Sequence, residues 1–464
     1  MAYLLVIVVY SAAQIALGVW AARRVKGSSD FFVAGRSLGP GLLAATLLAA
    51  NIGGGSTVGA AGRGFRDGVS AWWWVGSAGI GSLVLAWWVG PRIRRIAAER
   101  DLKTVGDFLE WRFDGRVRAT IAGLLWAGTV AILAGQLLSI AAVLGTIVGL
   151  SKPAGCLIGA IVATTYFAAG GLKSSVAVNV VQLSVKLLGF GIALPLALSV
   201  AGGFGGLHAA IADPGQWNVA QNGASGWIYV PMLTPAFIVS PGLLQKVYGA
   251  RDDRAVRIGV GVNAVVLLVF AAIPPLLGMV ARARHPDLPA SDLALPTVFV
   301  RDLPFWIGGL GLAAIFSAEL SAADAILFML ATSFAKDLYK RFMNPSADDR
   351  QMINAARAAT VAGAALAVAV AIGVAKDVVD ALSIFYTLLG VSLFVPVVAG
   401  LYARRADPGA ALAAIVGGVV IVAGLQVFRG GASIGLWTPA MFGIAAAIAA
   451  YGAVSIISHS YRER

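Results

Sequence analysis

A lysine within an apolar segment long enough to cross a bilayer is expensive to insert and by default marks a functional site. Lys186, inside the apolar run 175–200, is such a residue. Glu319 and Asp324 share that setting within 305–335, and Asn179 precedes Lys186 by seven positions, two turns along the same helix face. Ser317, Ser321 and Asp324 stand at i, i+4 and i+7, so they line one face, and Glu319 points away from it. These groups suit charge binding and proton exchange: an ammonium has three donors, and a carboxylate gains or loses a proton as its surroundings change. Asp324 is the better candidate for an ion or proton pathway, with Glu319 and Asn179 as further candidates. Asn179 and Gln182 are expected to satisfy each other or backbone carbonyls. Covalent catalysis lacks its parts, because no nucleophile–base pair or metal cluster is present. His208, His285 and His459 lie far apart and beside no cysteine, and the single Cys156 excludes an intrachain disulfide.

The elements that must carry these residues can be read from composition. Of 464 residues, 59% are hydrophobic and 12% charged, against about 25% charged in soluble domains. No polar linker divides the chain, and spans of about 20 apolar residues recur throughout. That excludes a soluble enzyme, a secreted module and a disordered protein, and leaves an all-α polytopic membrane protein. Thirteen spans are expected, near 2–22, 39–62, 68–90, 119–149, 153–169, 175–200, 226–246, 255–281, 305–335, 353–375, 378–402, 407–428 and 436–458. The first has no basic region before it and Arg23-Arg24 after it, the reverse of a cleaved signal peptide.

The net charge of +13 suggests nucleic acid, but no basic run carries interleaved aromatics. With the N-terminus outside, 26 of the 35 cations fall in inward loops, 8 in outward loops, and Lys186 within a span. The surplus is a positive-inside signature: N-terminus out, C-terminus cytoplasmic, in a cell membrane.

Two spans are poor continuous helices. One contains Asn51-Ile-Gly-Gly-Gly-Ser-Thr57, and the other holds Pro231, Pro235 and Pro241. Each mid-helix glycine costs about 1 kcal/mol, and each proline removes a donor and clashes with the preceding turn. The two spans are five apart, so they enter the membrane in opposite directions. Interrupted spans at matching positions of two inverted halves point to the binding site of a secondary transporter.

At this level of detail the chain resembles the sodium/solute symporter family. The resemblance rests on Asp30-Phe-Phe-Val-Ala-Gly-Arg36, Leu48-Ala-Ala-Asn-Ile-Gly-Gly-Gly-Ser-Thr57 and the subsequent Gly-Phe-Arg-Asp-Gly68. Thr104-Val-Gly-Asp-Phe-Leu-Glu-Trp-Arg-Phe113, Gly170-Gly-Leu-Lys173 with Gln182, and Asp337-Leu-Tyr-Lys-Arg341 extend it over about residues 28–405. The resemblance implies a LeuT-type fold: a leading helix and loop (1–38), a five-helix repeat (39–200), its inverted copy (226–405), and two trailing helices with a short tail (406–464). It also implies a sodium site made by the carbonyls of Ala49 and Ile52 with Ala318, Ser321 and Ala322. Depth agrees: Asn51 lies about 22 Å from Arg36 and Ser321 about 22 Å from Lys336 at 1.5 Å per residue.

Two departures from the family pattern stand out. Ala322 replaces a hydroxyl, and Asn179 replaces an aspartate found where an additional sodium site exists. Lys186 lies about 20 Å from Lys173 by the same rise, at the level of Ser321. Its ammonium is therefore expected either to occupy the sodium position, donating to Ala49, Ile52 and Ser321, or to pair with Asp324 or Glu319 while sodium binds with a water. The first reading leaves protons or no ion as the coupling partner; the second is ordinary sodium symport. No other cofactor is expected.

Substrate is expected beside the breaks, at Gly53, Gly54, Gly55, Ser56 and Thr57, with Thr234, Phe237, Ser240, Tyr386 and Thr387. Exposed N–H groups at a half-helix start favour a carboxylate, and the apolar stretch 72–75 stands where sugar-transporting relatives are polar. A small organic anion or zwitterion is expected as the transported partner. A channel would need a continuous polar lining, and a membrane sensor would ordinarily carry a signalling domain where only a short tail succeeds Ser458; the alternative from another class is a transporter-like receptor that signals through a separate protein.

Overall fold

The computed structural model describes residues 2–22, 36–167 and 172–462. The motif residues 30–35, the basic loop 23–35 and Gly170-Gly171 lie outside the described residues, as does the side chain of Lys173. The first helix, α1, is Ala2–Ala22. The next span is interrupted, with α2 at Pro40–Asn51 and α3 at Val58–Asp67. Pro40 opens α2 at a position where its missing N–H has no helical partner to lose. Gly68 turns the chain at φ 71°, and a Cβ there would lie 2.0 Å from Gln216 O, so only glycine fits. Then come α4 (Trp72–Val84), a π-helical turn at Leu85–Val89, and α5 (Gly90–Glu99). A short α6 (Val105–Arg112) starts with Thr104 accepting from Asp107 N–H.

The long α7 (Gly115–Val148) is capped by Asp114 and ends on left-handed Gly149. After it come α8 (Lys152–Phe167), α9 (Leu172–Val200) and α10 (Gly203–Ala210). A small hairpin, β1 (Gln221–Asn222) with β2 (Ser225–Gly226), leads into the second interrupted span. There α11 (Val230–Val239) stops at Ser240, and Pro241 opens α12 (Pro241–Tyr248). Pro235 lies inside α11, and the break itself falls at Ser240-Pro241. The rest is α13 (Asp253–Phe270), α14 (Ile273–Arg284), α15 (Phe305–Thr332), continued by π turns to Met343, α16 (Asp349–Gly373), α17 (Val378–Tyr402), α18 (Pro408–Arg429) and α19 (Pro439–Arg462).

Ten helical stretches among the described residues are long and apolar enough to cross a membrane. The shorter apolar helices Ala2–Gln14, Pro40–Asn51 and Lys152–Thr165 accompany them. The expected count of thirteen spans is therefore not confirmed; of the three shorter helices, Pro40–Asn51 is short because the glycine break ends it. At the centre, α2 packs between α9 and α13, α9 lies against α15, and α7 contacts both α15 and α17. Small residues permit this closeness: a Cβ on Gly189 would meet Ala314 at 2.6 Å. Arg94, Arg95, Arg118 and Lys336 mark the basic end of the molecule.

Candidate functional site

The glycine break leaves carbonyls without helical partners. Gly53 N–H, which would close a turn on Ala49 O, donates to Ser56 Oγ at 2.9 Å. Ser56 N–H, which would serve Ile52 O, turns to Gly53 O at 3.1 Å. Thr57 Oγ1 also donates to Gly53 O, at 2.9 Å. The oxygens of Ala49 and Ile52 are thus left at the negative end of α2, where a cation is favoured.

Lys186 fills that position. Its Nζ donates to Ala49 O at 2.8 Å, to Ile52 O at 2.9 Å and to Ser321 Oγ at 2.6 Å. All three ammonium donors are used. Ser321 Oγ in turn lies 2.6 Å from Ala49 O and 3.1 Å from Ala318 O, so Ala318 serves the hydroxyl and not the lysine. Lys186 is 0% exposed and Ser321 2%. Three helices, α2, α9 and α15, meet at this one ammonium.

The carboxylate whose charge reaches Lys186 is Glu319. Asp324, the pathway candidate favoured by face geometry, acts instead on Lys246. Glu319 is 0% exposed, accepts from Ser139 Oγ, and leaves Oε2 without a hydrogen-bond partner. It packs over Gly54, where a Cβ would stand 2.6 Å from Oε2. The helix face that turns Ser321 toward Lys186 therefore turns Glu319 toward α7, and the two charges flank the glycine break. Asn179 does not pair with Gln182. It donates to Thr46 Oγ1 at 3.2 Å, while both amide atoms of Gln182 are buried without a partner.

Beside the break lies a cavity of about 90 Å³. Gly53, Gly55, Ser56, Phe237, Ser240, Tyr386 and Ala322 line it, whereas Gly54, Thr57, Thr234 and Thr387 do not. Thr234 is held to Ser77 O at 3.0 Å. Trp74 Nε1 donates to Gly55 O at 2.8 Å, and its ring meets Tyr386 at 6.0 Å. Leu382, Trp74, Lys246, Leu243 and Met329 also line the cavity.

The N–H groups expected to be open to a carboxylate are engaged within the protein: Gly53 with Ser56, and Gly54 with Gln136 Oε1 at 2.8 Å. Gln136 and Ser139 on α7 are site residues that sequence reasoning did not single out. Two polar side chains three apart in an apolar span were the available signal. Lys246 escaped for a different reason, because its place at a span end reads as a loop cation, yet it is only 4% exposed.

The basic end is tied by Arg118, which pairs with Asp107 at 3.0 Å, Glu110 at 2.6 Å and Asp337 at 2.6 Å. Against the opposing effect of burial, Lys336 and Arg118 hold the Asp107 carboxyl, and Arg341 and Arg118 the Glu110 carboxyl, below the usual carboxylate range. At the opposite end Arg66 pairs with Asp377 at 2.9 Å, and Val378 N–H donates to Asp292 Oδ2 at 3.1 Å. Burial, with the Asp377 charge added, pushes the Asp292 carboxyl up to about 7.

This architecture has close counterparts. A Na+-coupled sialic acid symporter, solved substrate-bound and outward-open, superposes with a TM-score of 0.78 over 97% of this chain and 96% of its own, at 19% identity. The fold is therefore that of the LeuT-type transporters. The description "Sodium:solute symporter family" matches residues 31–418, and the chain belongs to that family. It is 29% identical over 440 residues to the sodium/pantothenate symporter of Escherichia coli K12, covering 90% of this chain and 89% of that one. It is 25% identical over 413 residues to the sodium/glucose cotransporter of Vibrio parahaemolyticus, covering 79% and 74%. The protein is a multi-pass membrane transporter, not an enzyme.

Proposed function

We propose that this transporter moves a small organic solute by alternating access with the Lys186 ammonium standing where relatives hold a sodium ion. The observation that carries the reading is the three hydrogen bonds from Lys186 Nζ to Ala49 O, Ile52 O and Ser321 Oγ. A hard cation needs those same oxygens, and a sodium ion cannot share them with an ammonium already 2.6–2.9 Å from each. The lysine bridges α9 to α2 and α15, as a bound ion would, but it stays on the protein throughout the cycle. Coupling then passes to a proton or is lost, with Glu319, Asp324 and Asn179 as candidate proton-pathway groups. The two inverted halves (39–200 and 226–405) would rock about the site, the N-terminus lying outside and the basic end in the cytoplasm. A small organic anion or zwitterion is the solute class that suits the cavity.

The second reading is sodium-coupled symport, favoured by family membership and by the sodium named in each of these relatives. Here Lys186 would pair structurally with Glu319 and swing aside to admit the ion. Equilibrium binding of radioactive sodium to the purified protein separates the two. The lysine reading predicts no saturable sodium binding in the wild type and binding gained in Lys186→Ala. Saturable binding that Lys186→Ala leaves unchanged would end it.

A further inference from the structure

The cavity contains a cation that makes no hydrogen bond among the described residues. Lys246, on α12 about one and a half turns beyond the Ser240-Pro241 break, is 4% exposed and lines the cavity beside Ser240, Leu243 and Met329. Among the described residues its ammonium makes no hydrogen bond and no ion pair. Lys186 differs, with all three donors spent. Asp324 on the neighbouring α15 acts on Lys246 only through its charge, so it offsets the ammonium without consuming its donors. A buried cation with unspent donors is costly in a protein interior unless something fills its coordination. The N–H groups of Gly53 and Gly54 offer no rival anchor, since they are bound by Ser56 and Gln136. The other polar side chains of the lining, Asn51, Ser56, Gln136 and Ser240, are uncharged, and Trp74, Phe237, Phe385 and Tyr386 supply aromatic surface.

We infer that Lys246 is the anchor for a carboxylate of the transported solute, with the solute's apolar body against Phe237 and Tyr386. This rests on the transport reading and narrows its substrate class to small organic monoanions. Lys246 would be a specificity residue acting by direct contact. One ammonium in a cavity of about 90 Å³ suits a single carboxylate on a compact body, since a dianion would bring in a second charge that no other cation of the lining meets.

The test uses the full chain in proteoliposomes, offered an equimolar mixture of small aliphatic and aromatic carboxylic acids and their primary amides. Uptake is read by mass spectrometry against protein-free vesicles. Wild type is expected to take up acids over their matched amides by about tenfold or more, the size of one charge-assisted hydrogen bond. Lys246→Met should bring that ratio near one while amide uptake persists, and Lys246→Arg should keep most of the preference. Equal uptake of acids and amides by wild type, or an acid preference untouched in Lys246→Met, would overturn the assignment. Absence of any uptake above protein-free vesicles would instead contradict the transport reading, and the assignment with it.

Discussion

Lys186 on α9 donates to the Ser321 hydroxyl on α15 at 2.6 Å, and Ser321 Oγ lies 2.6 Å from Ala49 O on α2. One hydroxyl therefore joins the ammonium to the carbonyl end of the broken helix. Ser321→Ala removes both bonds without leaving a large cavity. A loss of about 1–3 kcal/mol is expected, because a buried donor is left short of a partner. Denaturant unfolding in a fixed detergent measures it; an unchanged midpoint would show that the hydroxyl contributes nothing.

Glu319 and Lys186 form a buried charge couple across the glycine break without touching. Glu319→Gln keeps the shape and the Ser139 bond but removes the carboxylate charge that acts on Lys186, and a loss smaller than the ~3–5 kcal/mol of breaking a contacting buried pair is expected. Lys186→Met combined with Glu319→Gln should recover much of that loss. A double-mutant cycle reads the coupling; additive single effects would mean the two charges do not interact.

Gly54 is closed on its side-chain face by Glu319 Oε2 at 2.6 Å and Ser139 Cβ at 2.8 Å. Gly54→Ala should therefore abolish transport by forcing α15 or α7 away from the break. Gly41, on the same interrupted span, has nothing within 4 Å of an added Cβ. Gly41→Ala should leave transport intact and stabilise the helix by about 1 kcal/mol. Equal transport by the two variants would contradict the close approach.

The pH response of the end opposite the basic end is set by Asp292. Its carboxyl is raised to about 7 in the folded chain by burial and the neighbouring Asp377 charge, against about 3.9 when unfolded. A raised carboxyl binds its proton more tightly in the folded state, so its contribution to stability is lost as pH rises through about 7. Asp107 and Glu110 are shifted the other way and lose their contribution only under acid conditions, outside this window. The melting temperature should rise as pH falls from about 8 to about 6, and Asp292→Asn should flatten that slope. A slope unchanged in Asp292→Asn would assign it to another group.

Several of these features could be read from residue type and spacing. The glycine triplet and the prolines mark both interruptions because their backbone costs are local, and the depth of Lys186 comes from helix rise alone. Other features depended on how helices rotate against one another, which spacing does not fix. The Ser317–Ser321–Asp324 face was visible, but whether it or the Glu319 face met Lys186 was decided by the packing of α15 on α9 and α7. The role of Gln136 depends on a contact to Gly54 across 82 positions, a pairing that no local pattern contains. Lys246 was hidden by its position near a span end, where a lysine ordinarily extends into water.

Thermal unfolding of the purified full chain in detergent tests whether Lys186 holds the cation position, with sodium exchanged for potassium at constant ionic strength, in wild type and Lys186→Ala. A ligand that binds the folded form stabilises it by about 2.7 kcal/mol at a hundredfold excess over its Kd. If the ammonium occupies the site, the wild type shows no sodium-specific rise and Lys186→Ala gains one. A sodium-specific rise in the wild type, retained in Lys186→Ala, would contradict it and return the protein to ordinary sodium symport.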